Sequence, residues 1–255
     1  MINCNQTVAG KTTFKEEFVT CGGIDLMDLD VNTMQSKKIN NLFEINFMTP
    51  ERTSKLLKVL SKRQANLTVV LENVQDPHNV SAVMRTCDAV GIQDVYVLTT
   101  KIPRHKKWGY RSSSSALKWL TIHEFDNLEA CVAALRKNFT KILTTHLSSD
   151  AVSLHDINFT ESVALVFGNE HAGVTEEFRN LADGNFIIPQ MGIIQSLNIS
   201  VACAVSIYEA MRQKMNAGHY QQATLPKQQM DELLTQWGFE EETPEVYNNS
   251  KLKRS

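Results

Sequence analysis

The sequence predicts an α/β fold, in which helices cover both faces of a mostly parallel sheet. From Leu67 onward, short runs rich in β-branched and aromatic residues alternate with stretches of helical periodicity. This alternation of strands and helices argues for a mostly parallel sheet covered on both faces. The chain has 255 residues, of which 42% are hydrophobic and 21% charged, the composition of an ordinary globular protein.

Each predicted element has its own signal. Thr49 and Pro50 suit the N-cap and first turn of a helix that continues to about Gln64. Gly91 is expected to end the helix that starts at Asn79. The last long helix, 198–213, is apolar on nearly every side, which predicts burial in the core or against another subunit. The remaining predictions are strands at 67–71, 95–99, 119–122, 141–145, 163–167 and 186–188, and helices at 128–137 and 175–181.

The chain divides into three parts by its patterning. Residues 1–47 lack sustained periodicity and are predicted to form an N-terminal extension of unknown role. Residues 48–218 hold the alternating strands and helices and form the main domain. Residues 219–255 are polar and are predicted to form a tail, with one amphipathic piece near 230–237.

Composition argues against several classes of protein. The chain has 26 Lys and Arg against 28 Asp and Glu, a net charge of −2, which identifies no partner. Its five cysteines are odd in number and include no Cys-x-x-Cys pair. This argues against a disulfide framework and against a zinc or other metal site, and it fits the reducing cytoplasm. No apolar run approaches the length of a membrane helix, and the N-terminus lacks a signal-peptide pattern.

Three polar clusters lie beside the ends of apolar strands. The first holds Asn79 and Arg85, the second Glu170, and the third Ser196 and Asn198. Each has a purely structural interpretation: the asparagines and the serine can cap helices, and the two charged side chains can be solvated. Open α/β sheets bind ligands outside the carboxyl ends of their strands, so the three clusters can also meet at one site.

A conventional nucleotide loop is disfavoured. Gly168 and Gly173 have the glycine spacing of a phosphate-binding loop, but Val174 and Thr175 follow where lysine and Ser/Thr are required. No Gly-x-Gly-x-x-Gly follows any predicted strand, which removes the usual dinucleotide signature.

The order of these motifs closely resembles the SPOUT superfamily of methyltransferases, and within it the tRNA guanosine 2′-O-methyltransferases of the TrmH type. The resemblance runs from Met48 to Tyr220. Its motifs are Arg63-Gln-Ala-Asn-Leu-Thr, Pro77-His-Asn-Val-Ser-Ala, Arg85-Thr-Cys-Asp-Ala-Val-Gly, Thr145-His-Leu, Gly168-Asn-Glu-His-Ala-Gly-Val and Gln195-Ser-Leu-Asn-Ile-Ser-Val-Ala.

The resemblance implies a fold, a cofactor and an assembly. The C-terminal part of the sheet would be tied in a deep trefoil knot, and S-adenosylmethionine would be held by the knot loops. The family is dimeric, and its site is shared across the interface. The matching cofactor positions are Thr145, Gly168, Ile188 and Leu197, and the matching catalytic positions are Asn79, Arg85, Glu170, Ser196 and Asn198.

RNA binding is indicated by the residues themselves as well as by the resemblance. Between Asp94 and Glu124 there are six lysines and arginines, three interleaved Trp and Tyr residues and no carboxylate. Cations beside stacking aromatics suit flexible RNA. Together with family positions elsewhere, the predicted RNA-binding residues are Arg52, Lys55, Arg63, His78, Arg104, Lys106, Lys107, Arg111 and Arg212.

Three functions remain open at this point. The favoured one is methylation of the ribose 2′-hydroxyl of guanosine 18 in the tRNA D-loop. The second is methylation of a ribosomal RNA ribose by a related enzyme, although the 47-residue extension is shorter than the N-terminal domain common on that branch. The third is RNA binding without catalysis, against which the intact set of catalytic residue types argues.

Overall fold

The structure is a computed structural model that describes residues 49–103 and 116–238. Its helices are α1 (Pro50–Leu60), α2 (Pro77–Val90), α3 (Leu128–Asn138), α4 (Glu176–Leu181), α5 (Ile199–Asn216) and α6 (Lys227–Gln236). Its strands are β1 (Leu67–Glu72), β2 (Asp94–Leu98), β3 (Thr121–Phe125), β4 (Lys141–Thr145), β5 (Val152–Ser153), β6 (Val163–Phe167) and β7 (Gly184–Ile187).

The described strands form one sheet in the order β3-β2-β1-β6-β4-β7-β5, and every pairing is parallel. β1 and β6 lie next to each other at the centre, and all their residues are buried. Val69 and Leu165 face a core shared with α2 and α5, whereas Val70 and Val166 face one shared with α3 and α4. The predicted α/β class, with helices on both faces of a parallel sheet, is confirmed.

The sheet order departs from the chain order at two places. β6 lies between β1 and β4, and β7 lies between β4 and β5. β4 and β5 are consecutive strands of the chain, yet a later strand separates them in the sheet. The carboxyl ends of β4, β6 and β7 therefore lie side by side, which brings the loops that follow these strands together.

Helix limits follow local capping. The Thr49 hydroxyl accepts a hydrogen bond from the backbone N–H of Arg52, as predicted, but α1 ends at Leu60 rather than at Gln64. Beyond the helix, the Gln64 N–H donates to the Gly91 carbonyl, so this segment runs beside the end of α2. Gly91 ends α2 in the left-handed conformation with a φ of 85°.

Within the single chain the last long helix is buried on one face only, and burial of its other face against another subunit stays a prediction. One face of α5 packs in the core through Ile199, Cys203 and Ile207. The opposite face carries exposed apolar side chains at i, i+4, i+7 and i+14, a spacing that places them on one helical stripe. These residues, called here the α5 stripe, are Val201, Val205, Tyr208 and Met215, and they are 40–55% exposed.

The segment 219–238 does not behave as a polar tail. α6 lies within it, and Leu225, Leu233 and Trp237 are buried in one cluster with Leu56 and Leu60 of α1. The amphipathic piece noted in the sequence is thus a helix packed on the main domain, which extends past the predicted boundary at residue 218 to at least Trp237. Residues 239–255 lie outside the described residues.

No helix in the described ranges is long and apolar enough to span a membrane. The three cysteines within these ranges, Cys87, Cys131 and Cys203, are buried free thiols.

Lys214 makes the stability of the fold depend on pH. Its side chain is fully buried, its Nζ donates to Asn66 Oδ1 at 2.7 Å, and burial lowers the pKa of its amine from 10.5 to about 8. The folded state prefers the neutral amine, so the stabilisation is present above pH 10.5 and is lost as the pH falls towards 8. Relative to Lys214→Met, the natural protein should gain about 2 kcal/mol of unfolding free energy between pH 7.5 and pH 10, measured by urea denaturation.

The exposed Lys137 provides the matched control. The Lys137→Met protein should differ from the natural protein by the same small amount at both pH values. A difference for Lys214→Met that does not change with pH would contradict a buried, titrating lysine.

Candidate active site

A cleft of about 630 Å³ opens at the carboxyl ends of β4, β6 and β7. Phe167 and Phe186, whose rings meet edge to face with centroids 6.1 Å apart, line its apolar part. The residues predicted to hold the cofactor come from four separate segments of the chain, and all of them line this cleft. They are Thr145, Gly168, Ile188 and Leu197.

Gly168 allows the wall of the cleft to form. A Cβ atom at this position would lie 2.2 Å from the backbone C of Gly173 and the backbone N of Val174. Next to it, the backbone N–H groups of Asn169 and Gly173 each donate to the carbonyl of the other residue. Because the contact is between backbone atoms, no side-chain movement can make room for a larger residue.

Three predicted catalytic residues form one hydrogen-bonded network at the rim of the cleft. Asn79 Nδ2 donates to Glu170 Oε1 at 2.9 Å, and Asn198 Nδ2 donates to Asn79 Oδ1 at 3.1 Å. Asn79 therefore bridges the start of α2 to the turn after β6 and to the start of α5. One residue from each of the three polar clusters noted in the sequence therefore meets at the carboxyl ends of the strands.

The Glu170 carboxylate is held in its ionised form. Its Oε2 accepts from the backbone N–H of Gln75 at 3.0 Å, and its Oε1 accepts from that of Asp76 at 3.1 Å. Partial burial acts to raise the pKa of Glu170, but the hydrogen bonds from Asn79 and these N–H groups outweigh burial and lower it. A carboxylate of this kind is a fixed hydrogen-bond acceptor at neutral pH.

The structure decides between the capping and the site interpretations. Asp76, not Asn79, caps α2 by accepting from the His78 N–H, which leaves the Asn79 amide free to serve the network. Asn198 does both: it caps α5 by accepting from the Ser200 N–H, and it donates to Asn79. Ser196 lines the cleft two residues before Asn198.

Arg85 is not brought to this network within one chain. Its side chain is exposed, does not line the cleft, and forms no hydrogen bond or ion pair with any residue in the described ranges. Six residues along α2 place it about 9 Å from Asn79 and about a third of a turn away. Within one chain Arg85 therefore lies apart from the other four predicted catalytic residues, because its side chain and that of Asn79 point from different faces of α2. Its place in a site shared between two chains stays a prediction.

The structure locates five of the nine predicted RNA-binding residues. Arg52, Lys55 and His78 have exposed side chains. Arg212 is exposed but already bound bidentately to Glu209, and this pairing lowers the pKa of Glu209 to about 2. The fifth, Arg63, is considered next. The remaining four, Arg104, Lys106, Lys107 and Arg111, lie outside the described residues.

The prediction that Arg63 contacts RNA is wrong, because its side chain is fully buried. Its guanidinium pairs with Asp88 at 2.6 Å, donates to the carbonyls of Ile92 and Trp119, and lies 5.5 Å from the centroid of the Trp237 ring. A buried guanidinium requires such partners to offset its lost hydration. Arg63 therefore joins α2 to the C-terminal segment and to the chain just before β3.

Sequence reasoning missed two polar residues beside the cleft. The Asn169 side chain shapes the Glu170 turn, because its Oδ1 accepts from the backbone N–H groups of His171 and Ala172. The signal was available: an asparagine between a strand and a glycine is typical of a turn closed by its side chain. His146 also lines the cleft, and its Nε2 accepts from Arg179 Nη1, a contact between distant segments that left no local pattern.

A ligand-sized, partly apolar cleft at the strand ends of a parallel α/β sheet is the usual place at which this class of fold binds small molecules. Comparison with known sequences then gives the family. The sequence model of the SpoU rRNA methylase family matches residues 66–208, more than half of the chain, and the chain belongs to this family. The predicted resemblance to 2′-O-methyltransferases of the TrmH type is confirmed.

The relatives include enzymes whose names state a reaction. The chain is 38% identical over 194 residues to the tRNA (guanosine(18)-2′-O)-methyltransferase of Escherichia coli K12, covering 75% of this chain and 84% of the relative. It is 37% identical to a Thermus thermophilus enzyme of the same name, covering 74% of this chain and 96% of the relative.

Comparison with solved structures gives the same family. The TrmH/SpoU tRNA-modifying enzyme of A. aeolicus matches with a TM-score of 0.68 and 35% identity, over 73% of this chain and 94% of that one. AviRb from Streptomyces viridochromogenes, solved in complex with the cofactor AdoMet, matches with a TM-score of 0.52 and 27% identity, over 61% and 62% of the two chains.

The close backbone contact at Gly168 predicts a large effect of one methyl group. Gly168→Ala should lower the unfolding free energy by at least about 3 kcal/mol, since the added Cβ overlaps backbone atoms that cannot move independently. The measurement is urea denaturation followed by circular dichroism. Gly192→Ala is the matched control, because nothing lies within 4 Å of a Cβ there, and it should leave stability unchanged. Equal stability of the two variants would show that the turn is not closely packed.

Proposed function

We propose that this protein is an S-adenosylmethionine-dependent tRNA 2′-O-methyltransferase that methylates the ribose of guanosine 18 in the D-loop. The observation that carries the proposal is the meeting of Asn79, Glu170 and Asn198 beside a cleft lined by all four predicted cofactor residues. It is supported by 35–38% identity to enzymes of that name over about three quarters of the chain.

The cleft has the chemistry that S-adenosylmethionine needs. Ile188 and Leu197 supply apolar wall for an adenine, and the turn at Gly168 brings backbone close enough to hydrogen-bond its edges. Thr145 is fixed at the end of β4, because its Oγ1 donates to the Val166 carbonyl at 3.1 Å. When bound, the cofactor supplies an electrophilic methyl group on a sulfonium.

The chain's own residues must then align a ribose and assist the loss of its 2′-hydroxyl proton. The ionised Glu170 fixes Asn79, and Asn79 fixes Asn198, so the rim of the cleft is preorganised before RNA arrives. Ser196, exposed on the same rim, is placed to contact the ribose. Arg85 is proposed to hold a tRNA phosphate and orient the hydroxyl rather than to accept its proton, since a guanidinium stays protonated in proteins.

The proposal includes a homodimer with a shared active site. The α5 stripe and the loop before α5 expose apolar side chains together, among them Met191 and Ile193, which are 97% and 100% exposed. Exposed apolar surface of this extent is typical of a protein interface. α2, which carries Arg85, packs beside α5, so a partner bound to the stripe would lie close to Arg85. The partner's Arg85 is proposed to complete each cleft.

A trefoil knot is also proposed for the C-terminal part of the sheet. The sheet order supports it, since β7 enters between β4 and β5 after both have been placed. In the proposed knot, the chain leading to β7 would pass through the loop that joins those two strands. A tRNA substrate and reduced, buried cysteines support the proposal that the protein works in the cytoplasm.

The proposed function is tested by methyl transfer in vitro. Purified protein is given radiolabelled S-adenosylmethionine with unmodified tRNA transcript or with naked ribosomal RNA, and the labelled nucleoside is mapped. Label at the 2′-oxygen of guanosine 18 is expected. Label only on ribosomal RNA would move the substrate to the second candidate, and a lack of transfer to either RNA would contradict the activity.

A shared site makes a sharp prediction for mixed dimers. Homodimers of Arg85→Ala or of Asn198→Ala should each lose about 100-fold or more in turnover, a usual cost of removing one group that acts on the transition state. If Arg85 serves the partner's cleft, a heterodimer of the two variants has one intact site. Its turnover should return to about half that of the natural dimer, measured on protein co-purified through two different tags.

The heterodimer result has a clear contrary outcome. If Arg85 served the cleft of its own chain, both sites would carry one lesion and turnover would stay near that of the single variants. An Arg85→Lys homodimer tests the role of the planar guanidinium. It should remain about as inactive as Arg85→Ala, because lysine cannot hold a phosphate bidentately.

A further inference from the structure

Asn73 occupies an unusual position directly after β1. It is 4% exposed, and it is the one residue other than glycine with a positive φ, 52°, in the described ranges. This left-handed conformation is costly for most side chains and more accessible to asparagine. Surrounding contacts must fix it, and these contacts reach two different parts of the molecule.

The side chain of Asn73 holds the chain where it leaves β2. Its Oδ1 accepts from the backbone N–H groups of Thr100 at 2.9 Å and Lys101 at 2.8 Å, and its Nδ2 donates to Thr100 Oγ1 at 3.1 Å. Lys101 is the first cation of the basic stretch that is predicted to bind RNA. These three hydrogen bonds therefore fix the start of that stretch.

The backbone of Asn73 holds the active-site turn. Its carbonyl accepts from Asn169 Nδ2 at 2.9 Å. The Oδ1 of the same Asn169 side chain accepts from the N–H groups of His171 and Ala172, which sets the shape of the turn that carries Glu170. One buried residue thus contacts both the β2 exit and the turn after β6.

The backbone N–H of Asn73 donates to the Leu98 carbonyl at 2.8 Å, which holds the last residue of β2, and three nearby residues bind the turn after β6. Glu72 accepts from the N–H and the hydroxyl of Thr175, and the N–H groups of Gln75 and Asp76 donate to Glu170. Another link from the β2 exit, the Lys101–Glu177 ion pair, has side chains 58% and 61% exposed. Such an exposed pair contributes little to rigidity.

We propose that Asn73 is a positioning residue that keeps the RNA-binding start of the basic stretch in fixed register with the Glu170 turn. RNA that contacts Lys101 is thereby presented at a set distance from Asn79 and Asn198. A displacement of about 1 Å at a reacting group can cost about 100-fold in rate, so the register matters for turnover more than for affinity. This inference rests on the proposed function.

Two substitutions at Asn73 separate the side chain from the backbone. Asn73→Gly keeps the carbonyl that binds Asn169 and tolerates the positive φ, but it removes all three bonds to Thr100 and Lys101. We expect kcat to fall about 10-fold, with the tRNA KM and the S-adenosylmethionine Kd within about 3-fold of the natural protein. Asn73→Asp keeps the acceptor for both N–H groups, and its kcat should return to within about 3-fold.

Asn158→Gly is the matched control. The exposed Asn158 side chain also makes three hydrogen bonds, two with Thr160 and one with Glu161, before the amino end of β6. It lies at the opposite end of that strand from the cleft. The control variant should keep the natural kcat even if its melting temperature falls as much as that of Asn73→Gly.

Each other outcome overturns the inference. A natural kcat for Asn73→Gly would show that the register does not depend on this side chain. A loss confined to KM would make Asn73 a binding residue, and equal losses in Asn73→Gly and Asn158→Gly would indicate general destabilisation. The natural protein is assayed in parallel, and its inactivity on tRNA would refute the proposed function itself. If the natural protein is active and Asn73→Gly has the same kcat, only this inference is refuted.

Discussion

The site depends on one carboxylate. Glu170 is held by two backbone N–H groups at the start of α2 and by the Asn79 amide. A partly buried charge is costly unless its oxygens are satisfied, and the N-terminal end of a helix is a favourable place for it. The interaction joins the segments that follow β1 and β6, the two central strands, so the rim of the cleft is built on the most deeply buried part of the fold.

The same constraint separates chemical roles. With its pKa lowered by these bonds, Glu170 stays ionised and serves as an anchor for Asn79 rather than as a proton donor. Asn79 in turn accepts a hydrogen bond from Asn198, which is also the N-cap of α5, and so fixes the position of that side chain. α5 therefore begins at the cleft, which its residues Ile199 and Ala202 line, and it carries the exposed α5 stripe. One helix thus connects the cleft to the proposed dimer interface.

The sequence predicts an element correctly where its limits are set by neighbouring residues in the chain. β4 and β6 begin and end as predicted. β6 is an apolar run between Ser162 and Gly168, and β4 is rich in β-branched residues, which favour strands. Capping by Thr49 and termination at Gly91 follow from residue chemistry alone. The two-residue strand β5 was missed, since two residues carry no periodicity. The resemblance predicted Asn79, Glu170 and Asn198 as catalytic positions. The hydrogen bonds that join them could be identified only from the folded structure.

The wrong predictions share a physical cause, which is long-range packing. Periodicity shows that α5 is apolar but not which face meets the core. Arg63 follows a basic helix face, yet α1 ends three residues earlier and the side chain turns inward to Asp88. The C-terminal segment looked polar because the buried Leu233 and Trp237 are few, and their partners on α1 are far away in the chain.

In the proposed function, the Glu170 network positions guanosine 18 for methylation beside a separately formed cofactor cleft. The most direct test maps ribose methylation on unmodified tRNA with the natural protein and with Glu170→Gln, alongside S-adenosylmethionine binding by calorimetry. Glutamine offers one acceptor oxygen to three donors, so methylation at position 18 should fall at least about 100-fold while cofactor affinity changes little. Undiminished methylation at position 18 by Glu170→Gln, or methylation by the natural protein at a different nucleotide, would contradict the account.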